Sequence, residues 1–232
     1  MDISKIYPVI LTCARGSDII RDFTSSYQTE LAGLVDFQRP LIQVDVTIVK
    51  ELDTGYLKSL AGLCSKMVVI HETEPNSTAY ASIQQGAHQA LFSALEMTEE
   101  NDYILFLEDD IRFSTRMKEF LSALQFPEGC GMYTLYLPGN GHAVIGKEGE
   151  IDAETFFGTQ AVLFPRKALQ QLKENLNYVL STYPPGYDIQ WSRGMRDLGY
   201  TINQAPESYV QHIGHGSMMH PDRFHTSARF VQ

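Results

Sequence analysis

An apolar strand pattern that runs directly into three acidic residues constrains this chain most. Residues 103–107 (YILFL) have the pattern of a buried strand, and Glu108, Asp109 and Asp110 follow them. In open α/β folds, ligands bind at the carboxyl edge of the sheet, where such a strand would present its acids. Adjacent carboxylates repel one another, and a bound cation relieves that repulsion. The pattern therefore predicts a site for Mg²⁺ or Mn²⁺ that holds a diphosphate.

The same acids have an alternative position in the first turn of a helix. Carboxylates are stabilised there by the positive end of the helix dipole. In that case Asp109 or Asp110 caps a helix that runs through Phe120 and Leu124. The segment by itself leaves both alternatives open.

Length and hydrophobic content suit one domain with a full core. The chain has 232 residues, of which 44% are hydrophobic. Residues 1–20 lack the apolar core of a signal peptide, and no apolar run reaches membrane-spanning length. Cys13, Cys64 and Cys130 are odd in number and far apart, which favours buried thiols in a reducing compartment. We expect a cytoplasmic protein, in peripheral contact with a membrane at most.

The charge balance bears on the partners of the protein. Asp and Glu outnumber Lys and Arg by 28 to 18, which gives a net charge of −10. Such a charge repels phosphate backbones and anionic membrane surfaces. It counts against a nucleic-acid partner, although Arg193, Arg196 and Arg223 offer a local basic patch.

Strand-like and helix-like segments alternate along the first half of the chain. Strands are expected at residues 6–13, 41–49, 66–71 and 103–111, with helices at 53–63 and 78–97 between them. This order predicts an α/β, Rossmann-like fold with a mostly parallel central sheet and helices on both faces. The second half predicts strands at 132–137, 156–164, 200–203 and 208–212, a helix from 166 to 180, and another helix from about Tyr187.

Four segments together resemble the nucleotide-sugar glycosyltransferases of the GT-A fold. Residues 108–110 (EDD) resemble their acidic metal-binding motif, and residues 157–161 (FGTQA) resemble a strand that lines the acceptor side. Residues 186–189 (GYDI) resemble the segment that carries the catalytic base. Residues 210–214 (VQHIG) resemble the C-terminal motif whose histidine completes the metal site. The four segments occur in the order that the family has.

The resemblance implies a single GT-A domain over residues 1–232. Its nucleotide-sugar-binding half would extend to about residue 110, its acceptor and catalytic half over 111–217, and a tail over 218–232. The implied reaction is the metal-dependent transfer of a sugar from a nucleoside-diphosphate donor, by expectation a UDP-sugar, to an acceptor hydroxyl. The acceptor would be a glycan, a lipid-linked glycan, a protein or a small molecule.

The resemblance also assigns roles to residues. Asp110 and His212 would bind Mn²⁺ or Mg²⁺, with His215 as the alternative histidine. Asp188 would be the general base of an inverting transfer, unless it is only a helix N-cap. Residues expected to contact the donor are Thr12, Ala14, Arg15, Glu108, Asp109, Gly158, Thr159 and Gln160.

Three other functions fit parts of the sequence. A metal-dependent phosphoryl-transfer enzyme would also use acids at strand ends, but the chain has no Gly-Lys-Ser/Thr phosphate loop. A sugar-nucleotide-binding module without turnover would keep Asp110 and His212 but would not need Asp188. A phage-type DNA-base glycosyltransferase is disfavoured by the net charge of −10. Trp191, Tyr183 and Tyr187 are candidates either for stacking on a sugar or for the core.

Overall fold

The computed structural model describes residues 1–13, 17–32, 41–45, 54–64, 66–70, 79–139, 148–214 and 226–232. The strands in these ranges are β1 (Ile6–Cys13), β2 (Leu41–Asp45), β3 (Lys66–Ile70), β4 (Tyr103–Glu108), β5 (Ile111–Phe113), β6 (Cys130–Thr134), β7 (Gly149–Ile151), β8 (Ala161–Pro165), β9 (Thr201–Gln204) and β10 (Val210–His212). The α-helices are α1 (Ser17–Tyr27), α2 (Thr54–Ala61), α3 (Ala79–Ser93), α4 (Met117–Ala123), α5 (Arg166–Glu174), α6 (Leu176–Thr182) and α7 (Tyr187–Asp197).

Eight of the described strands form one mixed sheet in the order β3-β2-β1-β4-β8-β6-β9-β7. The first four pair in parallel, as do β6 and β9, whereas β8 and β7 run opposite to the rest. The mostly parallel central sheet predicted from the sequence is confirmed. Because β8 is antiparallel to β4, its first residue lies at the same sheet edge as the last residue of β4.

Helices cover both faces of this sheet. Along β4, Leu105 and Leu107 enter one hydrophobic core, and Ile104 and Phe106 enter the other, because successive side chains of a strand point to opposite faces. The first core receives α1, α2 and α4, and the second receives α3, α5, α6 and α7. Strands buried on both faces are apolar almost continuously, which is the pattern that the sequence shows in β1 and β4.

The structure corrects three details of the sequence interpretation. Asp110 is followed by strand β5, and α4 begins only at Met117, so the helix-cap alternative for the acids is wrong. The strand expected at 156–164 begins at Ala161, because a loop over residues 156–160 precedes it. The helix expected from 166 to 180 is divided into α5 and α6 at Asn175, whose backbone leaves the helical conformation.

Trp191 belongs to the core and does not stack on a sugar. Its side chain is fully buried, and its ring meets Phe106 and Tyr187 at centroid distances of 5.0 Å each and Phe164 at 5.6 Å. The rings of Phe106 and Phe164 stand nearly perpendicular to the indole, an arrangement that aromatic pairs favour. This cluster fixes α7 on the sheet.

None of the described helices is both long and apolar enough to cross a membrane.

We expect Trp191→Ala to lower the free energy of unfolding by about 3–5 kcal/mol, because it leaves a large cavity between α7 and the sheet. The matched control is Tyr178→Ala on α6, where the aromatic side chain is exposed; its effect should stay below about 1 kcal/mol. Denaturant unfolding of both variants measures the difference. Equal effects would contradict the assignment of Trp191 to the core.

Candidate functional site

The carboxyl edge of the sheet holds the acidic segment, and its first contact is with β1. The Thr12 hydroxyl donates to Asp109 Oδ2 at 2.6 Å, and both residues are buried. The register explains the contact, because Leu11 in β1 lies opposite Glu108 in β4. Thr12 and Asp109, both expected at the donor site, therefore lie together, whereas Ala14 and Arg15 lie outside the described residues.

Asp110 and His212 meet although 102 positions separate them. Asp110 Oδ2 lies 3.1 Å from His212 Nε2, and the two residues are 3% and 5% exposed. Strands β5 and β10 form an antiparallel ribbon in which His212 lies opposite Ile111. The ribbon continues with a hydrogen bond of 2.8 Å from the Ile213 N–H to the Asp110 carbonyl. Backbone pairing thus sets the position of both side chains.

Gly214 leaves room beside this pair. A Cβ at position 214 would lie 2.8 Å from Asp110 Oδ2 and 3.1 Å from His212 Nε2. A carboxylate oxygen and an imidazole nitrogen that converge on a space lined by glycine fit a divalent cation. Within the described ranges, no group of three or more His, Cys, Asp and Glu side chains is arranged to hold a metal ion, so these two residues would act as a pair. His215, the alternative ligand, lies outside the described residues.

Glu108 points to a different part of the site. Its Oε1 accepts hydrogen bonds from the Thr159 hydroxyl at 2.9 Å and from the Tyr187 hydroxyl at 2.8 Å. Tyr187 is the first residue of α7, so the acidic segment is tied directly to the helix that carries Asp188. The sequence predicts Tyr187 as the start of a helix and as a candidate for sugar stacking or for the core, but it does not indicate the bond to Glu108.

Asp188 occupies the second position of α7. The N-cap is Gly186, at a φ of 138° that favours glycine, so the alternative in which Asp188 is the N-cap is wrong. Asp188 Oδ1 accepts the N–H of Ile189 at 2.9 Å. Burial raises the pKa of Asp188, while backbone hydrogen bonds and the charge of Arg193 offset part of that rise. A carboxylate with a raised pKa is a stronger base than an ordinary aspartate, which suits proton abstraction.

The loop before β8 and the end of β6 form the opposite wall. Gly158 has a φ of 95°, and a Cβ there would lie 2.8 Å from Tyr136 Cδ1 and 2.9 Å from Gln160 Oε1. Gln160 also accepts the Glu108 N–H through its backbone carbonyl at 3.0 Å. The sequence places Tyr136 in the strand predicted at 132–137 and assigns it no role. The structure ends β6 at Thr134, so Tyr136 follows the strand end, at the edge where ligands bind in this fold class.

Two of the three arginines of the basic patch lie in described residues, and both form ion pairs. Arg193 pairs with Glu154 at 2.7 Å, and Arg196 pairs with Glu154 and Asp197. These ion pairs offset the charges of the two arginines. Arg223 lies outside the described residues.

Comparisons with known proteins agree with this fold. No protein-family model and no curated protein matches the chain. Among solved structures, the chain is similar to the mannosyltransferase PcManGT from Pyrobaculum calidifontis in complex with GDP-Man and Mn²⁺, with a TM-score of 0.52 and 13% sequence identity. The match covers 88% of this chain but 55% of that one, so the chain spans about half the length of that protein. The likeness shows a glycosyltransferase-like Rossmann fold and confirms the predicted fold class.

The half-buried carboxylate at position 188 leads to a prediction about stability. Because the folded state raises the pKa of Asp188 above the ordinary 3.8, it binds the proton more tightly than the unfolded state does. The ionised side chain therefore destabilises the fold above the folded pKa, and this destabilisation is absent below the unfolded pKa. Asp188→Asn keeps the oxygen that accepts the Ile189 N–H and removes the charge.

We expect Asp188→Asn to be at least as stable as the natural chain at pH 7, with the gain vanishing below about pH 3.8. Denaturant unfolding across this pH range measures the difference. A loss of stability at pH 7 would show that the charge itself supports the helix start.

Proposed function

We propose that the chain is a divalent-metal-dependent glycosyltransferase that moves a sugar from a nucleoside-diphosphate donor, by expectation a UDP-sugar, to an acceptor hydroxyl. The observation that carries the proposal is the buried pair of Asp110 Oδ2 and His212 Nε2, 3.1 Å apart at the carboxyl edge of the sheet. The fold supports it, since a solved structure of similar fold is a mannosyltransferase in complex with GDP-Man and Mn²⁺.

Asp110 and His212 are the proposed ligands of Mn²⁺ or Mg²⁺. A cation bound there would neutralise the charge that develops on the leaving diphosphate as its bond to the sugar breaks. Two protein ligands leave coordination positions for phosphate oxygens and water, as is usual where a hard cation binds a nucleotide. The imidazole must be neutral to ligate, so we expect metal binding to weaken as the pH falls.

The other two acids have separate proposed roles. Asp109 is held by the Thr12 hydroxyl in a buried position, where its carboxylate can accept from hydroxyl groups of the donor. Glu108 holds Tyr187 and Thr159, and through them the start of α7 and the loop before β8. Contacts of the donor with Ala14, Arg15, Gly158, Thr159 and Gln160 remain predictions.

Asp188 is the proposed general base. Its carboxylate would take the proton from the acceptor hydroxyl as that oxygen attacks the anomeric carbon, on the face opposite the departing diphosphate. The product would carry the inverted configuration. Burial of Asp188 supports this role, because it raises the pKa and so the basicity of the carboxylate.

The cysteine pattern favours a cytoplasmic location for the reaction.

The metal requirement can be tested by ligand-induced stabilisation, without knowing the acceptor. We expect one or more UDP-sugars, or GDP-mannose, to raise the unfolding temperature in the presence of Mn²⁺. At a ligand concentration of about a hundred times Kd, the free energy of unfolding should rise by about 2.7 kcal/mol. Excess EDTA should abolish the shift, and so should Asp110→Asn and His212→Gln. Asp18→Asn, on an exposed carboxylate of α1, is the matched control and should keep the shift. An undiminished shift in EDTA would refute the metal role.

A test of Asp188 distinguishes a transferase from a sugar-nucleotide-binding module without turnover, because only the transferase needs a general base. Asp188→Asn should leave donor binding unchanged and lower turnover by about a hundredfold or more, the usual contribution of a positioned base. In the natural chain, turnover should fall as the pH drops through the raised pKa of Asp188, because the base must be unprotonated; the variant should lack this acid limb.

The control for this test is Glu174→Gln, on an exposed carboxylate at the end of α5, which should keep full turnover. The anomeric configuration of the product, read by NMR, checks the inverting assignment. Nearly full turnover in Asp188→Asn, or a retained anomer, would contradict the role of this residue.

A further inference from the structure

Two buried polar atoms beside the site have no hydrogen-bond partner among the described residues. They are the Tyr136 hydroxyl and Gln160 Oε1. Tyr136 is fully buried. Buried polar groups are nearly always hydrogen-bonded, since an unpaired one destabilises the fold. Two of them beside the same glycine, at the edge where the acids lie, indicate a partner that the described residues do not supply.

The two side chains approach the backbone of Gly158 so closely that a Cβ does not fit there. A Cβ at position 158 would lie 2.8 and 2.9 Å from Tyr136 Cδ1 and Cε1, and 2.9 Å from Gln160 Oε1. The φ of 95° at Gly158 disfavours any residue with a side chain there. The tyrosine and the glutamine are therefore neighbours, yet they do not bond to each other.

The pair offers complementary chemistry. The Tyr136 hydroxyl stays protonated, because burial and then the charges of Glu108 and Asp110 raise its pKa, so it can donate a hydrogen bond. Gln160 Oε1 can only accept one. A ligand hydroxyl accepts from one group and donates to another at the same time, so it satisfies both atoms.

The position of the pair selects the source of that hydroxyl. Gln160 lies against the acidic segment, because its backbone carbonyl accepts the Glu108 N–H at 3.0 Å, two residues before Asp110, the proposed metal ligand. The sugar of a nucleotide sugar is attached to the diphosphate that such a metal binds. A hydroxyl of the donor sugar would therefore come within reach of this wall.

We propose that Tyr136 and Gln160 recognise one hydroxyl of the donor sugar, with the Tyr136 hydroxyl donating to it and Gln160 Oε1 accepting from it. This inference rests on the proposed function and adds the residues that select the sugar. No bond is made or broken at these residues. A site built to hydrogen-bond a hydroxyl discriminates strongly against an analogue that lacks it, because the protein groups are then left unpaired.

The test compares each nucleotide sugar with its own nucleoside diphosphate. Calorimetry with Mn²⁺ gives the affinities of the full chain for UDP, GDP, UDP-glucose, UDP-galactose and GDP-mannose. For each nucleotide, the affinity for the nucleotide sugar divided by the affinity for the nucleoside diphosphate measures the contribution of the sugar to binding. We expect Tyr136→Phe and Gln160→Met each to lower this ratio about tenfold and to leave the affinity for the nucleoside diphosphate unchanged.

Deoxy analogues of the sugar nucleotide that binds locate the hydroxyl. The natural chain and Tyr136→Phe should bind one of these analogues with equal affinity. That analogue lacks the hydroxyl to which the Tyr136 phenol would donate a hydrogen bond. Tyr133→Phe is the matched control on β6: it removes a hydrogen bond of 2.7 Å to Glu148, so it should lower stability but keep the ratio. Tyr136→Phe should not lower stability, because it removes an unpaired hydroxyl.

The outcomes separate this inference from the proposed function. If the nucleotides bind and Tyr136→Phe keeps the natural ratio for the sugar, the recognition pair is refuted while the glycosyltransferase proposal stands. If Tyr136→Phe weakens nucleoside diphosphate and nucleotide sugar equally, the tyrosine supports the site as a whole and reads no hydroxyl. If none of the five ligands binds the natural chain, the proposed function fails and the inference with it.

Discussion

The pairing of two three-residue strands is the constraint on which the candidate site depends. Strand β5 begins immediately after Asp110, and strand β10 ends at His212, so their antiparallel register sets the two side chains beside each other. The bond from the Ile213 N–H to the Asp110 carbonyl closes the end of this ribbon. Position 214 must then pass within contact distance of both side chains, which only glycine does without displacing them.

Three consecutive acids can coexist here because each is held by a different part of the fold. Asp109 turns to Thr12 on β1, Asp110 turns to His212 on β10, and Glu108 turns to the first residue of α7. Like charges that point in three directions repel one another less than a converging cluster would. The same arrangement joins the two halves of the site, since Glu108 connects the end of the acidic strand to the helix that carries the proposed base.

Local sequence patterns predicted the fold well for elements whose burial produces a recognisable apolar pattern. Strands β1 and β4 are apolar almost throughout, and α3 repeats apolar residues at helical spacing, so their existence followed from periodicity. Short strands such as β5 and β10 gave ambiguous signals, because three residues carry no period. The sequence also left two roles for Trp191, because a tryptophan suits both a hydrophobic core and a sugar-binding surface. Its contacts with Phe106 and Phe164 on the sheet assign it to the core.

For the site, the sequence by itself determined the acids at a strand end and the order of the segments that resemble a glycosyltransferase, because these are local features. The tertiary structure alone decided which side chains meet: Asp110 with His212, Glu108 with Tyr187, and Tyr136 with Gln160 across Gly158. These contacts join residues that are distant in the chain, and strand order and register create them. No local pattern carries register between strands a hundred positions apart, so the partners of each acid could be known only from the folded chain.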